Sequence, residues 1–144
     1  MKTYIFKISL LRSPKITREI EVLENISLYK LAEVIIDSYN FDFDHCFGFF
    51  SKIQENQYFD SEKKYELFTD LIEEGENLEP TGAESVKKTK AKDVWSNVGD
   101  KMMFLFDYGD SWQFIVELKS FGSKDISKKY PLVLNKTGKA SRQY

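Results

Sequence analysis

The sequence predicts a single α+β domain, in which a mostly antiparallel sheet of five to seven strands carries two main helices on one face. Three observations predict this class. Apolar residues alternate with polar ones over 4–10 and 16–22, which is typical of strands. Apolar residues at helical spacing over 28–39 indicate an amphipathic helix. The densest apolar segment, 102–118, indicates two strands joined by an acidic, aromatic turn.

Composition limits the possible function classes. The 144 residues suit one domain, 1–144, and the net charge of -2 does not suit a protein that binds polyanions with its whole surface. Cys46 is the single cysteine, so an internal disulfide and a CxxC motif are both excluded. No apolar run approaches the ~18 residues of a membrane span, and the N-terminus lacks a signal-peptide core. We therefore expect a cytoplasmic protein with no membrane partner.

The first half of the chain reads as a hairpin, a helix and a strand. Pro14 separates the two alternating segments, which are expected to pair. Ser27 is a suitable N-cap for a helix from Leu28 to Tyr39. A strand over 45–52 follows, in which Gly48 indicates a bulge or close packing.

The second half is less regular. Ser61 is expected to cap a second helix with its apolar side over 65–72. Short strands are expected around 58–59 and 86–89, and one or two helical turns around 94–98. After the long hairpin, 121–129 is expected to be a loop. A last strand over 130–134 is expected at a sheet edge because Pro131 cannot donate a ladder hydrogen bond. The basic tail, 135–144, is expected to be partly disordered.

Pleating predicts the turn of the long hairpin. A two-residue loop would mix apolar and polar side chains on both faces, whereas an odd-numbered loop gives one apolar face and one polar face. The sequence therefore predicts a loop of three or five residues, with Gly109 supplying any positive φ. The expected cross-strand pairs are Phe106 with Trp112, Phe104 with Phe114, and Met102 with Val116.

Two groups of residues have the composition of reactive sites. Asp107 and Asp110 flank Gly109, where paired carboxylates suit metal binding or acid–base chemistry but also suit hydrogen bonds to turn N–H groups. The sequence favours the turn. Asp42, Asp44, His45 and Cys46 cluster, but adjacent strand residues point to opposite faces and cannot converge on one ion. His45 could instead meet Asp107 across the sheet. No metal and no cofactor is expected.

Three stretches together resemble the plasmid pRiA ORF-three-like family. Phe-Asp-Tyr-Gly-Asp-Ser-Trp at 106–112 is similar to its Tyr-Asp-Phe-Gly-Asp-x-Trp signature, and Pro-Lys-Ile-Thr-Arg-Glu-Ile at 14–20 is similar to its Pro-x-Ile-x-Arg-x-Ile strand. The helix from Ser27, with the later Phe41 and His45, resembles its Thr-Leu-x-x-Leu helix. Residues 133–144 resemble its closing segment, without the expected proline and acidic residues and with an early stop. The resemblance implies an α+β domain of unknown biochemical function.

Some family members carry the name of transposable-element passenger TnpR proteins, which suggests association with mobile elements. A serine recombinase needs a nucleophilic serine among clustered arginines, and Arg12, Arg18 and Arg142 are scattered. The sequence favours a non-enzymatic module that binds a protein or a small molecule. A nucleic-acid-binding accessory protein using lysine patches at 87–101 and in the tail is less favoured, as is a hydrolase-like enzyme using Asp107, Asp110 and His45. The candidate binding residues are His45, Trp95, Asp107, Tyr108, Asp110 and Trp112.

Overall fold

The computed structural model describes residues 1–143 and contains a seven-stranded sheet in which every neighbouring pair is antiparallel. Its order is β4-β3-β5-β6-β1-β2-β7. The predicted α+β class and strand number are confirmed. Among residues 1–143, neither helix has the length and apolar character that a membrane crossing requires. The strands are β1 Lys2–Leu10, β2 Thr17–Leu23, β3 Phe47–Phe50, β4 Lys64–Glu66, β5 Lys101–Phe106, β6 Trp112–Ser123 and β7 Leu132–Thr137.

Helix α1, Leu28–Ser38, covers one face of the sheet, which we call the front face. The Ser27 hydroxyl accepts a hydrogen bond from the N–H of Lys30 at 3.0 Å, so the predicted N-cap is confirmed. The apolar stripe of α1 is fully buried in the front core, because helical spacing places its members on one side. These residues are Leu28, Leu31, Ala32, Ile35 and Ile36.

Helix α2, Leu67–Glu73, begins later than the sequence predicts. Tyr65 lies in β4 and pairs with Phe49, and the Ser61 hydroxyl accepts from the N–H of Lys52 instead of capping a helix. The prediction of Ser61 as a helix cap was therefore wrong. Strand pairing with β3 overrides the helical spacing of the local sequence. The structure also differs from the prediction at 58–60, where a 3₁₀ turn replaces the expected short strand.

The long hairpin of β5 and β6 has the predicted register, with Phe106 opposite Trp112 and Phe104 opposite Phe114. Its loop is five residues long, 107–111, which confirms an odd-numbered loop. The prediction that Gly109 supplies the positive φ was wrong. Asp107 and Ser111 have φ values of 66° and 57°. Aspartate tolerates this left-handed region because its short side chain bonds to nearby backbone.

The hairpin separates two cores. On the front face, Phe104, Phe106 and Phe114 lie in the large core under α1. The opposite face was predicted to be polar, but Met103 and Leu105 are fully buried there, in a small back core with Phe50 and Tyr58. The 3₁₀ turn at 58–60 brings Tyr58 into this back core. Strand β6 contributes Gln113 and Glu117 to this face with Ile115 between them, so the face is polar only in part.

The remaining differences concern the length of elements. Residues 86–89 contain a turn instead of an edge strand, and a 3₁₀ turn at Ala91–Asp93 precedes Trp95. Strand β6 continues to Ser123 through part of the expected loop, because its residues from Phe114 to Ser123 pair with β1. A Cβ at Gly122 would lie 2.6 Å from the Thr3 hydroxyl oxygen, so this pairing needs the glycine. The last strand is at an edge, as predicted, but continues to Thr137.

Arg18 is a buried cation on the front face that joins three parts of the fold. Its guanidinium donates from Nε to the Ser38 carbonyl at 2.7 Å, and from Nη1 to the Thr137 and Gly138 carbonyls at 3.3 and 3.0 Å. The group also lies 4.3 Å from the centre of the Tyr39 ring. These bonds fix the end of α1 and the chain after β7 to strand β2.

Replacing Arg18 by Met should lower the free energy of unfolding by about 2–4 kcal/mol, because buried carbonyls lose a charged donor. Urea denaturation followed by circular dichroism measures this. Lys136 is opposite Arg18 on β7 and exposed, so Lys136→Met should change stability by about 0.5 kcal/mol or less. Equal effects of the two substitutions would contradict the bridging role of Arg18.

Candidate functional site

Asp107 organises the hairpin turn from a buried position. Its Oδ1 accepts hydrogen bonds from the N–H groups of Gly109 at 3.0 Å and Asp110 at 3.2 Å. Its backbone carbonyl accepts from the N–H of Ser111 at 2.6 Å. A carboxylate that accepts several turn N–H groups holds the loop in one conformation. This geometry corresponds to the turn interpretation of the Asp107 and Asp110 pair.

His45 lies between two carboxylates, and one of them is Asp107. Its Nδ1 is 2.7 Å from Asp44 Oδ1, and its Nε2 is 3.5 Å from Asp107 Oδ2. The expected meeting of His45 and Asp107 across the sheet is therefore present. The hydrogen bond with Asp44 is the main reason that the pKa of His45 is raised above its ordinary value, and the charge on Asp107 adds to the effect.

Tyr108 follows Asp107 but contacts the opposite side of the turn. Its hydroxyl donates to Glu66 Oε2 at 2.5 Å, and its ring lies 4.9 Å from that of Phe68 at the start of α2. Burial raises the pKa of Tyr108, and the neighbouring Glu66 carboxylate raises it further. Tyr108 thus ties the turn to β4 and α2 and is not available as a free surface hydroxyl.

A cavity of about 600 Å³ opens beside Asp110 and Trp112 at the end of the sheet, and we call it the sheet-end cavity. Three segments distant in the sequence wall it: the β1–β2 turn, the end of the long hairpin, and the chain after β7. The lining residues are Leu10, Arg12, Ser13, Ile16, Asp110, Ser111, Trp112, Gln113, Lys139, Ala140 and Ser141.

Two buried polar atoms belong to residues that line this cavity. Trp112 Nε1 and Gln113 Oε1 have no hydrogen-bond partner among residues 1–143. The centres of the Trp112 and Phe41 rings are 4.6 Å apart. Gln113 Nε2 donates a hydrogen bond to the Ser111 hydroxyl at 2.8 Å. Trp112 and Gln113 are consecutive residues of β6, so their side chains lie on opposite faces of the sheet. Both atoms are buried from solvent, so they do not form part of the cavity surface.

The third wall of the cavity is formed by 138–143, which we call the strap. Arg18 holds its first residue through the Gly138 carbonyl. At its far end, the side chain of Gln143 accepts from the N–H of Asp42 at 2.8 Å and donates to the Asp42 carbonyl at 3.0 Å. The strap is therefore attached on both sides of Lys139 and Ser141. Tyr144, the last residue of the predicted basic tail, lies outside the described residues.

The structure does not bring all six candidate residues together. His45 and Asp107 are in contact, and Asp110 and Trp112 line the cavity. Trp95 is fully buried in the front core, where its Nε1 donates to the Val116 carbonyl at 3.1 Å. Sequence reasoning missed Arg12, Ser13, Lys139 and Ser141 as cavity residues. The 11–15 turn lies beside the long hairpin because β1 pairs with β6, a pairing that no local pattern in the sequence indicates.

The lysines before the hairpin are arranged differently from a free basic patch. Lys87 Nζ is 2.8 Å from Glu74, and Lys88 Nζ is 2.9 Å from Glu73, both at the end of α2. Hydrogen bonds to these carboxylates raise the pKa of both lysines. Each positive charge in this pair is thus matched by a neighbouring negative charge. Among residues 1–143, no three His, Cys, Asp or Glu side chains are arranged to hold a metal ion.

His45 should titrate above its ordinary value of 6.5 in the folded protein. The chain has one histidine, so one imidazole resonance in an NMR pH titration reports it. Because the folded-state pKa is raised, His45 stabilises the fold below pH 6.5, and this contribution is lost as pH rises through the folded-state pKa. Asp44→Asn should lower the pKa, and Asp110→Asn should lower it less. The reverse order would contradict the pairing with Asp44.

Asp107→Ala should lower the free energy of unfolding by about 1–3 kcal/mol, because the turn loses two hydrogen bonds at a left-handed φ. Asp107→Asn keeps an oxygen acceptor and tolerates this backbone region, so its loss should be about 1 kcal/mol or less. Urea denaturation compares the two variants. An equal loss would show that the charge of Asp107, and not its turn hydrogen bonds, determines stability.

Comparison with known proteins gives a family and a fold. The plasmid pRiA4b ORF-3-like protein family matches residues 2–142. A crystal structure of MM3350 from Methanosarcina mazei Go1, described as a protein of unknown function, superposes with a TM-score of 0.73 at 24% identity. The alignment covers 94% of this chain and 69% of that chain, and it shows a shared fold. No curated protein matches. Because the family match spans nearly all of the sequence, this chain belongs to the plasmid pRiA4b ORF-3-like protein family.

Proposed function

We propose that this protein is a non-enzymatic binding module that takes a small molecule into the sheet-end cavity. The observation that carries the proposal is the cavity itself, which three segments distant in the sequence enclose and which Asp110 and Trp112 of the signature-like segment line. A volume of about 600 Å³ is in the range of small-molecule sites. The wall combines apolar side chains with polar groups that can orient a ligand.

The position of the cavity supports a binding role for the hairpin. Asp110 and Trp112 belong to the segment that resembles the family signature, and both line the wall. Asp107 and Gly109 precede these two residues in the chain. The hydrogen bond between them helps to form the turn that holds Asp110 and Trp112 in place. The signature residues thus divide into two sets, one that shapes the turn and one that faces the cavity. His45 supports the turn through Asp107.

The two alternatives from the sequence have weaker support. The lysines at 87 and 88 form ion pairs with α2, which leaves less positive charge for a phosphate backbone. Asp107 accepts turn hydrogen bonds, so its carboxylate has a structural task that a hydrolase-like site would have to share. We also propose that the protein is cytoplasmic and associated with mobile elements. The family name, which refers to a plasmid, supports the association with mobile elements.

The proposal can be tested with N-phenyl-1-naphthylamine, a neutral dye whose fluorescence rises in apolar sites. We expect the purified protein to bind the dye saturably. Ser141→Trp places a large ring in the strap wall and should weaken binding by about tenfold or more, since the cavity loses volume. A fluorescence titration measures both affinities.

Val133→Trp is the matched control. Val133 is exposed and lines a different groove, between α1 and β7, so the added ring should leave dye affinity unchanged. Urea denaturation of each variant shows whether it remains folded. Absence of dye binding by the folded wild-type protein would contradict the proposed function. Loss of binding in Val133→Trp alone would move the site to the other groove.

A further inference from the structure

Cations and hydroxyls form most of the polar part of the sheet-end cavity. The polar lining residues are the cations Arg12 and Lys139, the serines Ser13, Ser111 and Ser141, and Asp110 and Gln113. Hydroxyls can donate or accept, whereas a guanidinium and an ammonium only donate. A wall of this composition complements a ligand group that mainly accepts hydrogen bonds. Carboxylates and phosphates are such groups.

The cations of the wall differ in how their charge is matched. Arg12 donates from Nε to Glu55 Oε1 at 2.8 Å, so a neighbouring carboxylate already offsets its charge. Lys139 has no ion pair among residues 1–143, and the same is true of Lys15 in the adjacent turn. The acidic residue of the wall, Asp110, is in the hairpin turn, whereas Lys139 is in the strap. The wall is therefore most positive along the strap.

The apolar residues of the wall indicate what kind of ligand body fits the cavity. Leu10 and Ile16 come from the β1–β2 hairpin, Ala140 comes from the strap, and Trp112 adds the face of its ring. These groups favour an apolar ligand body through burial of surface. The polar donors and the apolar groups share one cavity, so one amphipathic molecule can satisfy both.

We propose that the ligand of the sheet-end cavity is a small molecule with an apolar body and one anionic head, a carboxylate or a phosphate, bound by Lys139. This inference rests on the proposed binding function and names its ligand class. The strap supplies the charged contact, and the serines of the wall can supply neutral donors. The attachments at Gly138 and Gln143 keep the backbone of the strap in place before the ligand arrives, which reduces the entropy lost on binding.

Displacement of N-phenyl-1-naphthylamine by three eight-carbon probes tests the head group. We expect octanoate or octyl phosphate to displace the dye at concentrations about tenfold lower than octanol, since a charge-assisted contact adds affinity. Comparison of the two anions identifies a carboxylate or a phosphate head. Octanol is the more hydrophobic probe, so a preference for the anions cannot come from apolar burial alone. Equal displacement by octanol would overturn the proposal.

Lys139→Met tests the residue, with Lys136→Met as the matched control on β7 outside the wall. Lys139→Met should remove the anion preference, so that octanoate, octyl phosphate and octanol displace the dye at concentrations within about twofold of one another. Lys136→Met should keep the preference. A preference that survives Lys139→Met overturns the assignment of Lys139. Failure of the wild type to bind dye is a failure of the proposed function instead. Stronger displacement by a single-stranded oligonucleotide than by octyl phosphate would overturn the small-molecule class.

Discussion

The register of the β5–β6 hairpin is the constraint on which the rest of the structure depends. A five-residue loop places Phe104 opposite Phe114 and sets both on the front face. A shift by one residue would turn these aromatic side chains away from α1 and bring polar ones toward it. Asp107 maintains the loop length through its hydrogen bonds to Gly109 and Asp110. A small set of turn interactions therefore determines which residues form the core.

The sequence was sufficient to predict features that depend on local periodicity. The hairpin register, the cap at Ser27 and the α+β class follow from spacing, and the structure confirms them. Predictions failed where a distant partner competes with a local pattern. Strand pairing with Phe49 draws Tyr65 out of the expected helix, and the side chain of Asp107 lets this residue adopt the backbone conformation that a glycine usually supplies.

The cavity could be predicted only in part. Asp110 and Trp112 were candidate residues because they lie in a distinctive segment, but the opposite walls come from the 11–15 turn and from the strap. Neither of these segments has a motif of its own. Their proximity results from pairing between β1 and β6 and from the bonds of Arg18 to the Gly138 carbonyl. Trp95, in contrast, was a candidate by residue type and is a core residue.

The attachment of the strap has a consequence for how folding and binding relate to each other. All seven strands precede Gly138 in the chain, so no residue of the strap takes part in the pairing of the sheet. Within the strap, Ala140 packs against the front core, whereas Lys139 and Ser141 are exposed at the cavity. A change of side chain at 139 or 141 thus alters the contacts offered to a ligand without altering a strand pair.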